Sequence, residues 1–321
     1  MPEQGNEKGT SPAVSVIIPA YKTTAYIAKA LDSVLAQSYR DFEIIVINDG
    51  CPDTLELEKV LQAYMKDIVY IKQPNGGLAH ARNTGIRRSR GRFIALLDSD
   101  DFWEPDYLAT QIRILEEDPA VGAVYANALI FGRGDHPGKF YMDVFPSSGD
   151  VSFLSLVTGQ CNIIGAAVTF RREAIELAGL YDPEIRHAED FDLWLRFVKL
   201  GGRIVYHRRV LYHVRSRPES LTRQSVQMRA SFLRILEKNE KAFPLTQEER
   251  AAVDKVKRDT TAFLQYERGK EAFFQGDVAG AIRDIRAANE YWRMWKLRLI
   301  LLLMKTMPGI LRRLLRNRAP R

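Results

Sequence analysis

Leu96-Leu97-Asp98-Ser99-Asp100-Asp101 places three carboxylates directly after an apolar run. Hard divalent cations such as Mg²⁺ and Mn²⁺ take oxygen ligands, commonly one or two carboxylates completed by substrate phosphate oxygens. Without a cation, carboxylates this close raise one another's pKa. Asp98 and Asp100 are therefore candidate metal ligands. A solvated turn capping the next helix accounts for the same residues, since Asp is a common N-cap.

Three further segments carry polar residues of the same kind. Asp49, in Asn48-Asp49-Gly50, suits a tight turn and also a carboxylate that accepts from the N–H of a pyrimidine base. Asn75-Gly76-Gly77 leads into Ala81-Arg82-Asn83; glycines permit close approach of backbone to phosphate, and Arg82 could complement a diphosphate. Glu189 and Asp190 open the segment Glu189 to Arg196, where the helix dipole favours acids. A sharper reading makes one of them a general base, because an Asp with a reference pKa of about 3.9 is ionised at neutral pH and can take a proton.

The elements that must position these residues are legible from periodicity. Short β-rich runs occur at Val14 to Pro19, Phe42 to Ile47, Ile68 to Ile71 and Phe93 to Leu97. Helical spacing separates them at Tyr26 to Gln37, Leu55 to Met65 and from Gly76-Gly77 through Arg88. This alternation predicts an α/β fold, Rossmann-like, with a mostly parallel sheet and helices on both faces. Ligands in such sheets bind at the carboxyl ends of the strands, which is where Tyr21, Asp49, Asn75 and Asp98 to Asp101 fall. Leu193, Phe197 and Leu200 repeat at helical spacing and are expected in the core. Gly132 to Gly149 reads as an insertion or lid.

From Ser225 onward the pattern is helical, and Gly269 to Asn289 resembles one tetratricopeptide-type hairpin. The expected organisation is a disordered N-terminus over 1–12, a catalytic domain over 13–223, a helical extension over 224–290 and a basic amphipathic tail over 291–321. Two cysteines, Cys51 and Cys161, give no disulfide framework. No secretory signal and no long apolar stretch are apparent, which predicts a cytoplasmic protein.

The net charge of +7 is uneven: Tyr291 to Arg321 holds nine Lys or Arg and no acid, which leaves the rest at −2. Trp292, Trp295 and Leu299 to Met304 mix with Arg293, Lys296, Arg298 and Lys305, a pattern suited to an interfacial helix on anionic lipid at the inner face of the cell membrane. A helix packed on the enzyme body or on a dimer partner is the alternative. A near-neutral body argues against a nucleic-acid channel.

Together, Val14 to Tyr21 (VSVIIPAY), Asn48 to Asp53 (NDGCPD), Ala81 to Gly85 (ARNTG), Leu97 to Trp103 (LDSDDFW) and Glu189 to Arg196 (EDFDLWLR) resemble, in order, the motifs of the family 2 glycosyltransferases. The resemblance spans Pro12 to Arg223 and implies the GT-A fold and inverting transfer from a nucleotide-sugar, most commonly a uridine diphosphate sugar, to a glycan or lipid-linked acceptor. It implies that Asp49 contacts the base in a pocket lined by Pro19, Ala20 and Tyr21. Asn75, Arg82, Asp98 and Ser99 are further candidates to hold the donor. Asp100 would ligate Mn²⁺ or Mg²⁺, with Asp98 near the ribose or the metal. Asp190 matches the catalytic base, with Glu189 as second choice.

There are two departures from the family pattern. Cys51 stands where a small hydroxyl residue is usual. Many relatives place a histidine metal ligand within Leu211 to Thr222, where this chain has Arg215. His213, two residues earlier, would share that face of a strand and could complete the metal shell; Arg215 could instead hold the diphosphate. A sugar-nucleotide nucleotidyltransferase is disfavoured because Pro19-Ala20-Tyr21-Lys22-Thr23 lacks the glycines of a triphosphate loop. A non-catalytic scaffold is disfavoured by the presence of Asp49, Asp98, Asp100 and Asp190 together.

Overall fold

The computed structural model describes residues 11–217 and 225–316. The rest of the expected N-terminal segment, the end of the Leu211 to Thr222 segment and the last residues of the basic tail lie outside the described residues. The chain folds as two units, Met1–Arg223 and Gln224–Arg321.

In the first unit, β1 (Val14–Ala20) is buried along its whole length. The absence of alternation has a cause: both faces of the strand are covered. Val14, Val16, Ile18 and Ala20 share a core with Ile27, Ala30, Leu31 and Val34 of α1 (Ile27–Leu35). Ile44 and Val46 of β2 (Phe42–Asp49) and Leu57 and Leu61 of α2 (Thr54–Leu61) belong to the same core. The final turn of the second expected helix tightens into a 3₁₀ turn, Gln62–Tyr64, before β3 (Ile68–Gln73).

On the opposite face lies α3 (Leu78–Arg88), which is mostly polar yet carries buried Ala81, Arg82, Asn83, Gly85 and Ile86. Its close approach to the sheet depends on Gly85, where a Cβ would come within 2.4 Å of Ile17 Cγ2 and 2.8 Å of Ile47 Cδ1. The chain continues through β4 (Phe93–Leu96), β5 (Phe102–Trp103), α4 (Tyr107–Glu117) and β6 (Val121–Gly132). Next come α5 (Tyr141–Val144), α6 (Phe153–Val157), β7 (Val168–Arg171), α7 (Arg172–Leu177), α8 (Glu189–Lys199) and β8 (Arg203–Ser216).

The eight strands form one sheet in the order β3-β2-β1-β4-β7-β6-β8-β5. β3, β2, β1 and β4 are mutually parallel, as the alternation predicts. β7 runs antiparallel to both β4 and β6, β8 returns parallel to β6, and β5 closes the edge antiparallel to β8. The segment expected as an insertion or lid folds back on β6 through a bridge between Leu129 and Phe140 and a bond from Met142 N–H to Asn127 Oδ1 at 3.0 Å. Leu200 departs from its expected core position and is 45% exposed. It caps the end of α8, where Gly201 takes φ +87° and turns the chain away.

The second unit is helical: α9 (Ser225–Ala242), α10 (Gln247–Gln275), α11 (Val278–Trp292), α12 (Trp295–Thr306) and α13 (Pro308–Arg316). α10 starts with a reciprocal Thr246/Glu249 capping box and ends at Gly276 in the left-handed region. Asp277 then caps α11 by accepting from Gly280 N–H at 2.8 Å. The hairpin legible over Gly269 to Asn289 is thus punctuated at its turn by residues suited to both jobs. Leu297, Met304 and Leu311 share a core with Phe273, Ala281 and Ile285, so α12 and α13 fold onto the hairpin.

Gly85→Ala is expected to force α3 off the sheet and cost about 1–3 kcal/mol, the usual range for overpacking. Chemical denaturation measures this, and a wild-type midpoint would show that α3 does not need the close approach.

Candidate active site

The carboxyl ends of β1, β2 and β4 deliver the residues singled out by chemistry. At the end of β2, Asp49 is 3% exposed and its carboxylate is fully engaged. Oδ1 accepts from Gln73 Nε2 at 2.7 Å and from Gly76 N–H at 2.9 Å. Oδ2 accepts from Gly77 N–H at 2.9 Å and from Asn75 Nδ2 at 3.2 Å. These four donors match the roughly four acceptor positions of a carboxylate. Asp49 therefore organises the loop that starts α3, and Asn75 is committed to it. Gly50, at φ +64°, completes the fit, since a Cβ there would meet Asn75 N at 2.6 Å.

Arg82, one turn into α3, is 2% exposed. Nη2 donates to Asp98 Oδ1 and Nη1 to Glu189 Oε1, each at 2.9 Å. One buried cation thus joins the loop after β4 to the first turn of α8. Burial alone would weaken the guanidinium's hold on its proton; Asp98, Tyr181, Glu189 and Asp190 outweigh that and raise its pKa. Asn83 fastens the same helix to the segment before α8, exchanging hydrogen bonds with the Tyr181 backbone at 2.7 and 3.0 Å. The sequence suggested Arg82 as a diphosphate ligand; here its two Nη groups face carboxylates, and Nε is buried without a partner.

α8 begins at Ala188, a non-glycine residue held at φ 57°, ψ 33°. Such a conformation costs on the order of 1–2 kcal/mol and persists only where surrounding contacts enforce it. It brings Glu189 and Asp190 together at the start of the helix. Glu189 is buried, and burial first and Asp190 second push its pKa up to about 7 against the pull of Arg82. Burial also raises Asp190. Asp190 is the more exposed of the two; its Oδ1 accepts from Phe191 N–H at 2.8 Å. Its Oδ2 lies over Gly165, where a Cβ would sit only 2.4 Å away.

The carboxylates after β4 occupy different surroundings. Asp98 points to Arg82, and Asp100 Oδ2 pairs with Arg217 at 2.8 Å. Burial first, then Asp98, raises the pKa of Asp100. Asp101 is buried and raised well above the usual carboxylate range by burial and by Asp100. It accepts from Arg215 N–H at 2.6 Å and from Tyr212 Oη at 2.8 Å, tying this loop to β8. Ser99 is 3% exposed, with its hydroxyl 2.7 Å from the Pro19 carbonyl and 2.8 Å from Thr23 Oγ1, so it pins the loop to the end of β1. Pro19 and Ala20 are sealed in the sheet, and of that trio only Tyr21 presents an exposed side chain.

Arg215 stacks between Tyr26 and Phe131, 4.2 and 4.4 Å from the ring centres, and its Nε donates to the Asp100 carbonyl at 2.9 Å. His213 bonds Glu104 Oε1 at 2.6 Å and stacks on Phe102 at 4.1 Å. Among the described residues no three His, Cys, Asp or Glu side chains converge as a metal cage. Asp98 and Asp100 nonetheless suit a hard cation, since the donors are oxygens only and the Arg217 guanidinium already stands as a cation at Asp100.

Sequence reasoning placed Asp101 and Asn83 in its motifs without giving either a role, and it missed Arg217 and Gly165. Two signals were available: Asp101 continues the acidic run, and Arg217 repeats the two-residue strand period of His213 and Arg215. Nothing local marked Gly165, whose importance lies in what approaches it from α8.

A family model described as glycosyl transferase family 2 matches residues 15–177. An uncharacterized glycosyltransferase of Rickettsia prowazekii (strain Madrid E) is 32% identical over 203 residues, covering 60% of this chain and 60% of that relative. The mannosyltransferase PcManGT from Pyrobaculum calidifontis, solved with GDP-Man and Mn²⁺, superposes with a TM-score of 0.60 at 18% identity, covering 91% of this chain and 79% of that one. Staphylococcus aureus TarS 1–349 in complex with UDP-GlcNAc superposes with a TM-score of 0.58 at 18% identity, covering 91% and 87%. These likenesses show the GT-A fold that the sequence motifs imply.

Two measurements test the buried charges. Arg82→Met leaves Glu189 without its cation and is expected to destabilise the fold by about 3–5 kcal/mol, with Glu189→Gln on that background restoring part of the loss in urea titrations. Glu189 also imposes a pH slope. Its folded pKa of about 7 exceeds the ordinary 4.5, so its contribution to stability is full below 4.5 and is lost as pH rises through about 7. Glu189→Gln is expected to flatten the melting temperature across that window; equal slopes in both proteins would rule out Glu189 as the source.

Proposed function

The chain belongs to glycosyl transferase family 2, and from that premise we propose that it is an inverting glycosyltransferase. It moves a sugar from a nucleotide-sugar donor, expected to be a uridine diphosphate sugar, to a hydroxyl of a glycan or lipid-linked glycan. The observation that carries this reading is Arg82, which bridges Asp98 at the end of a sheet strand to Glu189 at the start of the helix that bears Asp190.

In this reading Asp190 is the general base. Gly165 leaves room for its free oxygen, and Arg82 holds Glu189 so that Asp190, the more exposed partner, receives the proton of the acceptor hydroxyl. Removal of that proton as the oxygen attacks the anomeric carbon, with departure of the nucleoside diphosphate from the opposite side, inverts the configuration. Tyr21 and the Asp49-ordered loop are assigned to the nucleotide, with Asp49 acting through Asn75 and the Gly76-Gly77 backbone.

Asp98 and Asp100 would hold a divalent cation, Mn²⁺ or Mg²⁺, which when bound offsets the charge gathering on the diphosphate. Arg217 must then yield Asp100, while Arg215, clamped between two rings, still faces the same loop. His213 would join the metal shell only by leaving Glu104.

The chain spans about 60% of the length of the Rickettsia relative. No helix among the described residues is long and apolar enough to cross a membrane. The acid-free segment 291–321 supports peripheral contact with anionic lipid at the inner face of the cell membrane.

Donor hydrolysis across a panel of nucleotide sugars, with and without Mn²⁺, tests the assignment without knowledge of the acceptor. Asp190→Asn is expected to slow turnover by about 10²–10⁴-fold while donor binding persists. Asp100→Ala is expected to remove the Mn²⁺ dependence of nucleotide binding. Unchanged turnover in Asp190→Asn would discard Asp190 as the base.

A further inference from the structure

Within the helical unit, α11 and α12 enclose an open basin of about 650 Å³. Arg286, Asn289 and Glu290 line it from α11, Arg293 from the turn that ends that helix, and Arg298, Leu301, Leu302 and Lys305 from α12. Both sets follow the same i, i+3, i+4, i+7 spacing, so each helix turns one continuous face into the groove. On each face the outer two positions are cations, set about 10 Å apart along the axis by the helical rise.

Arg286, Arg293, Arg298 and Lys305 are all exposed, and none forms a hydrogen bond or ion pair through its side chain with a described residue. Glu290 is the only acid among the lining residues. Four cations set against a single carboxylate leave an excess of positive charge, so the groove favours an anion that can meet several at once. The turn at its end is built for this shape: Asn289 Oδ1 accepts from Met294 N–H at 2.7 Å, and Arg293 takes φ 55°, a conformation usual for glycine.

The anion must also tolerate apolar contact. Leu301 and Leu302 line the basin, and Leu302 is 56% exposed. Trp295 and Leu299 continue the exposed apolar positions of α12 at 68% and 49%. No aromatic ring lines the groove to stack a nucleobase. We propose that this basin binds the phosphate headgroup of a phosphate-bearing lipid, with the four cations around the phosphate and Leu301 and Leu302 against the first part of the chain. The proposal deepens the membrane contact assigned above, because it makes that contact selective for a headgroup.

Vesicle flotation of the full chain tests it. One vesicle set carries phosphatidic acid, a phosphate monoester; the other carries phosphatidylglycerol, a diester, at matched surface charge, both in phosphatidylcholine. Wild type is expected to prefer the monoester vesicles. Arg293→Gln and Arg298→Gln are expected to lose that preference while still binding both sets. Arg313→Gln, a cation outside the basin, is expected to weaken both sets alike, by about fivefold per lost charge. Wild-type binding that ignores the headgroup would overturn the pocket and leave general membrane contact standing. Failure to bind any anionic vesicle would overturn both. Competition by inorganic phosphate as effective as phosphatidic acid would reassign the basin to a free anion and overturn the lipid. Melting curves of each variant show whether the fold is intact.

Discussion

A single guanidinium buried between two carboxylates sets the terms for the catalytic unit. Arg82 cannot give up its charge, and it sits where water cannot solvate it, so Asp98 and Glu189 must stay within reach. The surrounding structure enforces that geometry from several sides. Asp49 fixes where α3 starts, Gly85 lets the helix lie close to β1 and β2, and Asn83 clamps it to the backbone at Tyr181. From the far side, the left-handed Ala188 aims the first turn of α8 back at Arg82.

What the sequence disclosed follows from which interactions are local. The parallel strands β1 to β4 were readable because each is a short apolar run bounded by polar turns. β5 to β8 were not singled out: β5 has only two residues, and β6, β7 and β8 take their places by pairing across the fold, β7 antiparallel to both β4 and β6 and β8 parallel to β6. The same division runs through the site. Asp49, Asp98, Asp100, Glu189 and Asp190 stand out as acids at strand ends or at a helix start. The engagement of Asp49 with its own loop, and of Arg82 with two acids instead of a diphosphate, depends on contacts made across the fold. Leu200 shows the limit of helical spacing: the period continued by one position beyond the helix itself.

Charge is managed differently in the two units. In the catalytic unit the acids after β4 are answered from β8, through the Arg215 backbone and side chain and through Arg217. Glu189 and Asp190 are answered through Arg82, and Asp192 through Arg196 one turn later. The internal compensation is dense enough to hold several carboxylates under cover. In the helical unit, Asp284 is met by Arg268 and Arg283, but beyond it the cations facing the α11/α12 groove have no such partners among the described residues. The first arrangement suits a site that must keep its shape around a charged substrate, and the second leaves a surface whose charge is turned outward.

The bridge through Arg82 also bears on the order in which the chain can assemble. Asp98 lies 16 residues from Arg82, whereas Glu189 lies 107 residues away. Closing a loop of that length carries an entropic cost that must be met before the contact can repay it. Until α8 arrives, Arg82 has half of its counter-charge and every reason to remain in water, so α3 has no electrostatic incentive to bury its polar face. Full concealment of the cation therefore waits on α8, and the polar face of α3 gains its second counter-charge only as the helix carrying the acids docks.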